Sequence, residues 1–394
     1  YYPTATLVTG PDIIFFWVAR MIMAGYEYAG DLPFRNVYFT GIVRDKIGRK
    51  MSKQLGNSPD PLELIATYGA DGVRMGMMLS APAGNDIMFD DKLCEQGRNF
   101  CNKIWNAFRL IKGWEVADEA PCPETSRVAA EWFAARLSET AAEVDDLFGK
   151  FRISEALMAV YRLFWDEFSS WYLEMVKPAY GSPIDRQTLD ATIGFFDSLL
   201  RMLHPFMPFI TEELWQNIEP RRDGESIMYA AMPTAGKADS AMLAAMERAK
   251  EIIAGVRGVR ASKNIPQKEL LKLCCVGAPA PEFAELIAKL AGLESIEANA
   301  VKDAAAATFM VGTTEFSIPL ADTIDVAAEI ARIEKDLAYY EGFRTKLSAK
   351  LSNERFVANA PAAVVDGERK KLADAETKIA SLSEALAGYK SLGK

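Results

Sequence analysis

Arg44-Asp45-Lys46-Ile47-Gly48-Arg49-Lys50-Met51-Ser52-Lys53-Gln54-Leu55-Gly56-Asn57 is the stretch on which the fold turns. Five basic side chains fall within its first ten residues, with glycines at 48 and 56. It follows Asn36–Val43, which reads as a buried strand, and it precedes two helical segments, Pro59–Tyr68 and Asp71–Ser80. Upstream, Thr4–Thr9 reads as a strand, Gly10-Pro11-Asp12 breaks it, and Ile13–Tyr26 is a helix-length apolar segment with Asp12 placed to cap it. Strand, helix, strand, loop, helix implies an α/β layer with parallel pairing. Ligands of such layers sit beyond the carboxyl ends of the strands, where this loop lies. Glycines let the backbone approach a ligand closely, and ammonium groups neutralise phosphate oxygens as charge develops on them. The Gly-x-x-x-x-Gly-Lys-Ser/Thr spacing of a Walker loop is absent. By composition alone, a solvated basic loop satisfies the same residues equally well.

Outward from this layer the text becomes helical. Leu93–Gly113, Ser126–Phe148, Ser154–Val176 and Thr188–Ile218 carry apolar residues at three- and four-residue spacing, with prolines and glycines gathered between them, as in a helical bundle. Residues 225–322 are mixed, with a helix near Ala241–Gly255 and strand-like Leu270–Val276 and Thr313–Pro319. At the end, Val326, Ile330, Ile333, Leu337, Tyr340, Arg344, Leu347 and Leu351 step by four and three. A second seam runs Val365, Glu368, Leu372, Ala375, Ile379, Leu382, Leu386 and Tyr389. With Asn359-Ala360-Pro361 between them, the two seams predict an antiparallel coiled-coil hairpin whose arms reach about 40–45 Å. The fold class expected is mainly α with α/β parts: a partial nucleotide fold (1–90), a helical bundle (91–224), a small α/β module (225–322) and a coiled-coil arm (323–394).

Composition narrows the function classes. Half of the 394 residues are hydrophobic and a quarter are charged, which excludes wholesale disorder. Forty-five basic against fifty-four acidic residues leave a net charge of −9, so the chain has no uniformly basic nucleic-acid coat. The five cysteines form no Cys-x-x-Cys pair, which points to no metal site and to a reducing, cytoplasmic setting. No apolar run approaches the ~20 residues of a membrane span. The chain opens at Tyr1-Tyr2-Pro3 and its α/β text holds a single crossover, so a fragment of something longer is expected. One histidine, His204, excludes any chemistry that needs two, and its place before Pro205 in an aromatic run reads as structural. Met75, Met77 and Met78 read as core filler.

The pattern as a whole resembles a known family. Lys50-Met51-Ser52-Lys53 followed by Gly56-Asn57 is similar to the KMSKS loop of class I aminoacyl-tRNA synthetases. Thr9-Gly10-Pro11-Asp12 through Met21, and Asp60-Pro61-Leu62 with Tyr68-Gly69-Ala70-Asp71, resemble the surroundings of that loop in the valyl-tRNA synthetase family. Arg98-Asn99-Phe100-Cys101-Asn102-Lys103 and the run from His204 to Trp215 resemble that family's anticodon-binding bundle. Phe356-Val357-Ala358-Asn359-Ala360-Pro361 resembles the link of its C-terminal coiled coil. Gln54 departs from the pattern, which has serine there.

The resemblance implies roles residue by residue. Lys53, supported by Lys50 and Ser52, would contact the ATP phosphates during adenylate formation. Gly10 and Asp12 would lie beside the adenylate ribose, and Trp17 would wall the pocket for a small branched side chain. Asn99, Asn102, Lys103, Asn106 and Arg109, at helical spacing, would read the anticodon, whose splayed bases suit amides and long cations. Coiled-coil cations such as Arg344, Lys346, Lys350, Arg355, Arg369, Lys370 and Lys371 would contact tRNA phosphates or remain solvated. The implied activity is ATP-dependent activation of valine and its transfer to tRNA-Val, by a cytoplasmic monomer, with Mg2+ entering with ATP. Class I members also carry a His-Ile-Gly-His signature, which a chain with one histidine lacks. This chain alone is therefore expected to bind tRNA without activating valine. Two alternatives stay open: a portion of an isoleucyl or leucyl relative, and a non-enzymatic coiled-coil interaction protein.

Overall fold

A computed structural model describes residues 1–52, 54–81, 85–301, 306–319, 326–352, 365–369, 371–373, 375, 376, 379, 382, 383 and 386. Among the residues outside that set are Lys53, Arg355, Lys370, Tyr389 and the Phe356–Pro361 link. The chain forms two compact units, Tyr1–Glu247 and Arg248–Lys394.

In the first unit, β1 (Thr4–Thr9) and β2 (Phe34–Phe39) pair in parallel, with Thr6 opposite Asn36 and Thr9 opposite Phe39. The crossover between them is less regular than the helix expected over Ile13–Tyr26. A 3-10 turn opens it (Pro11–Ile13), π-type turns occupy Ile14–Val18 and Gly25–Ala29, and only α1 (Ala19–Ala24) is a regular α-helix. Asp12 does not cap it. Pro11, whose ring presets the backbone for a first helical position, starts the turn one residue earlier. Gly10 thus takes the cap position and Asp12 falls inside the turn, without a capping hydrogen bond.

The strand expected over Asn36–Val43 is also two: β2 and a short β3 (Val43–Arg44). They part around Gly41, where a Cβ would stand 1.8 Å from the Asn85 carbonyl oxygen. That approach brings the chain past β4 (Ile87–Met88), which pairs in parallel with β3. Between β3 and β4 lie α2 (Pro61–Tyr68) and α3 (Ala70–Leu79). The Asp60 carboxylate accepts from the Leu62 N–H at 2.9 Å to start α2, with Pro61 at its first position.

Next comes α4 (Asp91–Lys112), the first helix of the bundle, and it crosses α3 backbone to backbone. A Cβ on Gly97 would lie 2.3 Å from the Gly72 carbonyl oxygen, and one on Gly76 2.7 Å from the Cys94 nitrogen. Only glycine permits this spacing. The bundle continues through β5 (Val116–Ala117), α5 (Glu124–Gly149), α6 (Ile153–Arg162), α7 (Leu173–Val176), β6 (Ile184–Asp185), α8 (Arg186–Leu203) and α9 (Pro208–Ile218). α6 and α7 are one helical run joined by wide turns over Leu163–Tyr172, in which the Ser170 hydroxyl donates to the Trp165 carbonyl five residues back. Phe133 meets Tyr172 and Phe195 at 5.1 and 5.0 Å between ring centres, in a core that fully buries Trp132, Phe164, Phe168 and Phe196.

The single helix expected over Thr188–Ile218 breaks at His204–Met207. Pro205 and Pro208 cannot donate inside a helix, and α3 seizes the break. The Arg74 guanidinium donates to the carbonyls of Phe206 (3.0 Å) and Pro205 (3.3 Å), while the buried Asp71 carboxylate accepts from the Ile210 N–H at 2.7 Å. His204 faces Thr211 through Nδ1 at 2.8 Å, and burial pushes its imidazole below the ordinary pKa.

Helix α10 (Ser240–Lys263) leads into the second unit, which holds a four-stranded sheet. Its strands are β7 (Leu271–Val276), β8 (Leu293–Ala300), β9 (Ala306–Val311) and β10 (Thr314–Pro319), in the order β8-β7-β10-β9. α11 (Ala284–Ala291) links the parallel pair β7 and β8, an element the mixed text did not reveal. α12 (Val326–Leu351) forms the first arm of the expected hairpin. Ile333 and Leu347 on it are buried, as are Val365 and Ala375 of the second seam. Glu368, a carboxylate at a seam position, is buried against Lys350 at 3.3 Å and Lys371 at 3.1 Å.

Gly97→Ala is expected to destabilise the first unit by about 1–3 kcal/mol through overpacking at the α3–α4 crossing. Gly194→Ala, on the exposed face of α8 with no atom near the added methyl, should instead be neutral or stabilising by about 0.5–1 kcal/mol. Urea denaturation of the two variants checks the contrast.

Candidate adenylate-loop and anticodon sites

The basic loop is held from its base. The Asp45 side chain, buried just beyond β3, accepts from the Ile47 N–H (3.2 Å), the Arg49 N–H (2.8 Å) and Arg49 Nε (2.7 Å). It also accepts from Asn57 Nδ2 at 3.0 Å. The Asn57 bond, ahead of those to Arg49 and Ile47, holds the carboxyl far below the usual carboxylate range. Asn57 closes the loop from its far end. Its Oδ1 accepts from the Ser52 N–H at 2.9 Å, and its Nδ2 donates also to the Lys50 carbonyl at 3.3 Å. The Ser52 hydroxyl accepts from the Leu55 N–H at 3.2 Å, and a bridge pairs Arg44 with Lys50 across the turn. Under the loop lies a cleft of about 410 Å3 lined by Asp45, Lys46, Arg49, Met51, Asn57 and Leu64 among others.

Gly10 and Asp12 follow the carboxyl end of β1, whose two-stranded sheet with β2 is separate from that of β3 and β4. The Thr40 N–H donates to the Thr9 carbonyl at 2.9 Å, and a Cβ on Gly10 would touch Ile42 Cδ1 at 3.4 Å, just before the loop strand. Gly10 and Asp12 thus lie just past β1, and Lys50 and Ser52 in the loop past β3. Lys53 lies outside the described residues. Trp17 is 61 % exposed, beside buried Val18.

The second group lies along α4. Phe100, Ile104, Ala107 and Ile111 bury one face, while Asn99, Asn102, Asn106 and Arg109 are exposed on the other and Lys103 is half-buried. Lys103 Nζ stands 5.2 Å from the ring centre of Trp165, within cation–π range. Sequence reasoning missed Trp105, 42 % exposed among these amides and cations; its place between Asn102 and Arg109 was the available signal. It also missed Asp45 and Lys46. Lys46 Nζ lies 3.1 Å from both Asp90 and Asp91, where Asp90 caps α4, and these carboxylates, Asp91 foremost, raise the lysine's pKa. One loop residue thus touches the helix that carries the polar face.

Comparison with known proteins places the whole. Residues 1–90 match the family "tRNA synthetases class I (I, L, M and V)", residues 130–275 the "Anticodon-binding domain of tRNA ligase", and residues 325–390 the "Valyl tRNA synthetase tRNA binding arm". The valine–tRNA ligase of Phocaeicola vulgatus is 66% identical over 391 residues, 99% of this chain and 45% of that protein. The chain belongs to the valine–tRNA ligase family. The Parabacteroides distasonis ligase is 63% identical over 98% of this chain and 44% of its own length. The chain therefore spans somewhat under half the length of the curated valine–tRNA ligases it matches. The Agrobacterium radiobacter LeuRS–tRNA–LeuAMS ternary complex superposes with a TM-score of 0.46 at 22% identity, over 60% of this chain and 30% of that one. Within this ligase-family chain, α4 precedes the matched anticodon-binding stretch. No described helix is long and apolar enough to cross a membrane.

Asp45 sets a pH dependence. Its folded-state pKa is depressed, so its contribution is present above the unfolded carboxylate value of about 4 and is lost as pH falls through the folded value. The stability difference between the natural chain and Asp45→Asn should shrink when urea denaturation at about pH 6 is repeated near pH 3.

Proposed function

We propose that the chain supplies the phosphate-contacting loop and the tRNA-binding parts of a valine–tRNA ligase. ATP and valine form valyl-adenylate with release of pyrophosphate, and the acyl group then passes to a ribose hydroxyl at the 3′ end of tRNA-Val with release of AMP. One observation carries the reading: beyond the carboxyl end of β3, Asp45 and Asn57 pin the basic loop at its base and at the Lys50 and Ser52 backbone. In that place Lys50 and Lys53 meet the phosphates as negative charge builds on them in the transfer. Ser52 holds the loop backbone through its bond to Leu55. Gly10 leaves room for the adenylate ribose and Asp12 accepts from its hydroxyls. Trp17 walls the side-chain pocket. Mg2+ arrives on the ATP phosphates as part of the substrate.

On α4, Asn99, Asn102, Lys103, Asn106 and Arg109 form the anticodon face. Amides there read base edges while the cations hold phosphates. The division proposed is a nucleotide-fold part (1–90), an anticodon bundle (91–224), an α/β module (225–322) and the tRNA arm (323–394). The ligase works as a cytoplasmic monomer.

Lys50→Ala in a full-length ligase carrying this chain should lower kcat of valine-dependent ATP–pyrophosphate exchange roughly 10²-fold and leave tRNA binding unchanged. Asn102→Ala with Arg109→Ala should do the reverse, weakening tRNA-Val binding with exchange intact. This chain alone should bind tRNA-Val with affinity that falls as salt rises. Binding that ignores salt, or exchange by this chain alone at a full-length rate, contradicts the assignment.

A further inference from the structure

The loop carries more fixed geometry than phosphate contact by lysine requires, and most of it runs through one side chain. Asn57 bonds at three separate points: it accepts from the Ser52 N–H and donates to the Lys50 carbonyl and to the Asp45 carboxylate. Those points flank Met51 on both sides and tie the far end of the loop to its base. A carboxamide is suited to this because it offers an acceptor oxygen and two N–H donors on one short stem. Aspartate would supply no donor and would set a second negative charge against Asp45; alanine would supply neither function. Asp45 is fixed independently, since Ile47 and Arg49 already bond to it from within its own turn. Constraint therefore passes from β3 to Asp45, from Asp45 to Asn57, and from Asn57 to the backbone that presents Lys50.

We propose that Asn57 is a positioning residue for adenylate formation: its carboxamide holds the Lys50–Ser52 backbone in the conformation that meets the ATP phosphates. The inference rests on the ligase reading. A loop free to wander would pay that ordering on the way to the transition state, where misplacement by about 1 Å is costly. The loss therefore falls on kcat and leaves the binding of valine alone.

The test compares Asn57→Ala, Asn57→Asp, Asp45→Asn and the exchanged pair Asp45→Asn with Asn57→Asp, in which the bond between the two positions is rebuilt with donor and acceptor reversed. Two measurements are made. Trypsin cleavage after Lys50 is followed in this chain by mass spectrometry, and kcat and KM for valine in pyrophosphate exchange are measured in a full-length ligase carrying it. The single variants should be cleaved faster and should lose roughly tenfold or more in kcat, with KM for valine within about twofold. The exchanged pair rebuilds the bond between positions 45 and 57 and keeps the acceptor for the Ser52 N–H, but leaves the Lys50 carbonyl without its donor. It should therefore be cleaved more slowly and turn over faster than Asn57→Asp alone without reaching the natural chain. Unchanged cleavage in Asn57→Ala overturns the latch. Faster cleavage with unchanged kcat overturns the positioning role, and so does an equal loss of kcat and of tRNA binding, which marks general unfolding. Absence of valine-dependent exchange in the natural full-length ligase defeats the ligase reading and this role with it, while the cleavage comparison still reports on the latch.

Discussion

Three glycines at one helix crossing hold the first unit together. Gly72 and Gly76 on α3 and Gly97 on α4 let two backbones approach to a distance that any side chain would prevent. Carbonyl oxygens and Cα atoms then pack directly, which fixes the angle and translation of the helices more tightly than interdigitated side chains do. The rest of the unit is built on this contact. α3 continues from the basic loop through α2, and its other side chains, Asp71 and Arg74, grip the broken backbone before α9. α4 begins at the two aspartates that hold Lys46 and carries the polar face about 12–27 Å further along its axis. Loop and polar face therefore refer to the same rigid pair.

Acidic side chains do much of the local ordering. Asp60, Asp90 and Asp185 start helices by accepting from the backbone two or three residues on. Asp45 does the same for a turn and then reaches across to Asn57. Asp71 serves at a distance, supplying α9 with the N-terminal acceptor that Met207 cannot provide. Glu368 keeps its charge in the coiled-coil seam because Lys350 and Lys371 meet it. Each carboxylate removed from water finds donors to replace it, as burial of a charge demands. A net charge of −9 therefore describes the chain as a whole and not its local distribution, since five basic residues crowd into ten on one loop.

Long periodic segments were the most legible. The helices read at Leu93–Gly113 and Ser126–Phe148 lie within two residues of α4 and α5 at either end, because a buried stripe repeated over six turns leaves one solution. The first seam of the hairpin became α12 for the same reason. Short elements were harder. β8 and β9 carry half-exposed residues and no clean alternation, so neither stood out before its partners were known. Wide turns through Leu163–Tyr172 answer to aromatic packing, which no spacing rule encodes. In the loop, the basic run was plain from composition. Asp45 was not, because a single aspartate between cations acquires meaning only when Asn57, twelve residues on, folds back to it.

By itself the sequence determined the class of the long helices α4, α5, α10 and α12, the glycine and proline breaks, the motif that marks the family, and the polar stripe on α4. These follow from local backbone preferences and from the 3.6-residue period, which neighbouring residues settle among themselves. Tertiary structure decided the rest: that Asp71 and Arg74 of α3 would secure the broken backbone before α9, and that Asn57 would close the loop on Asp45. Each of those depends on groups distant in sequence competing for the same donors, acceptors or space. That competition is settled only when the chain has packed.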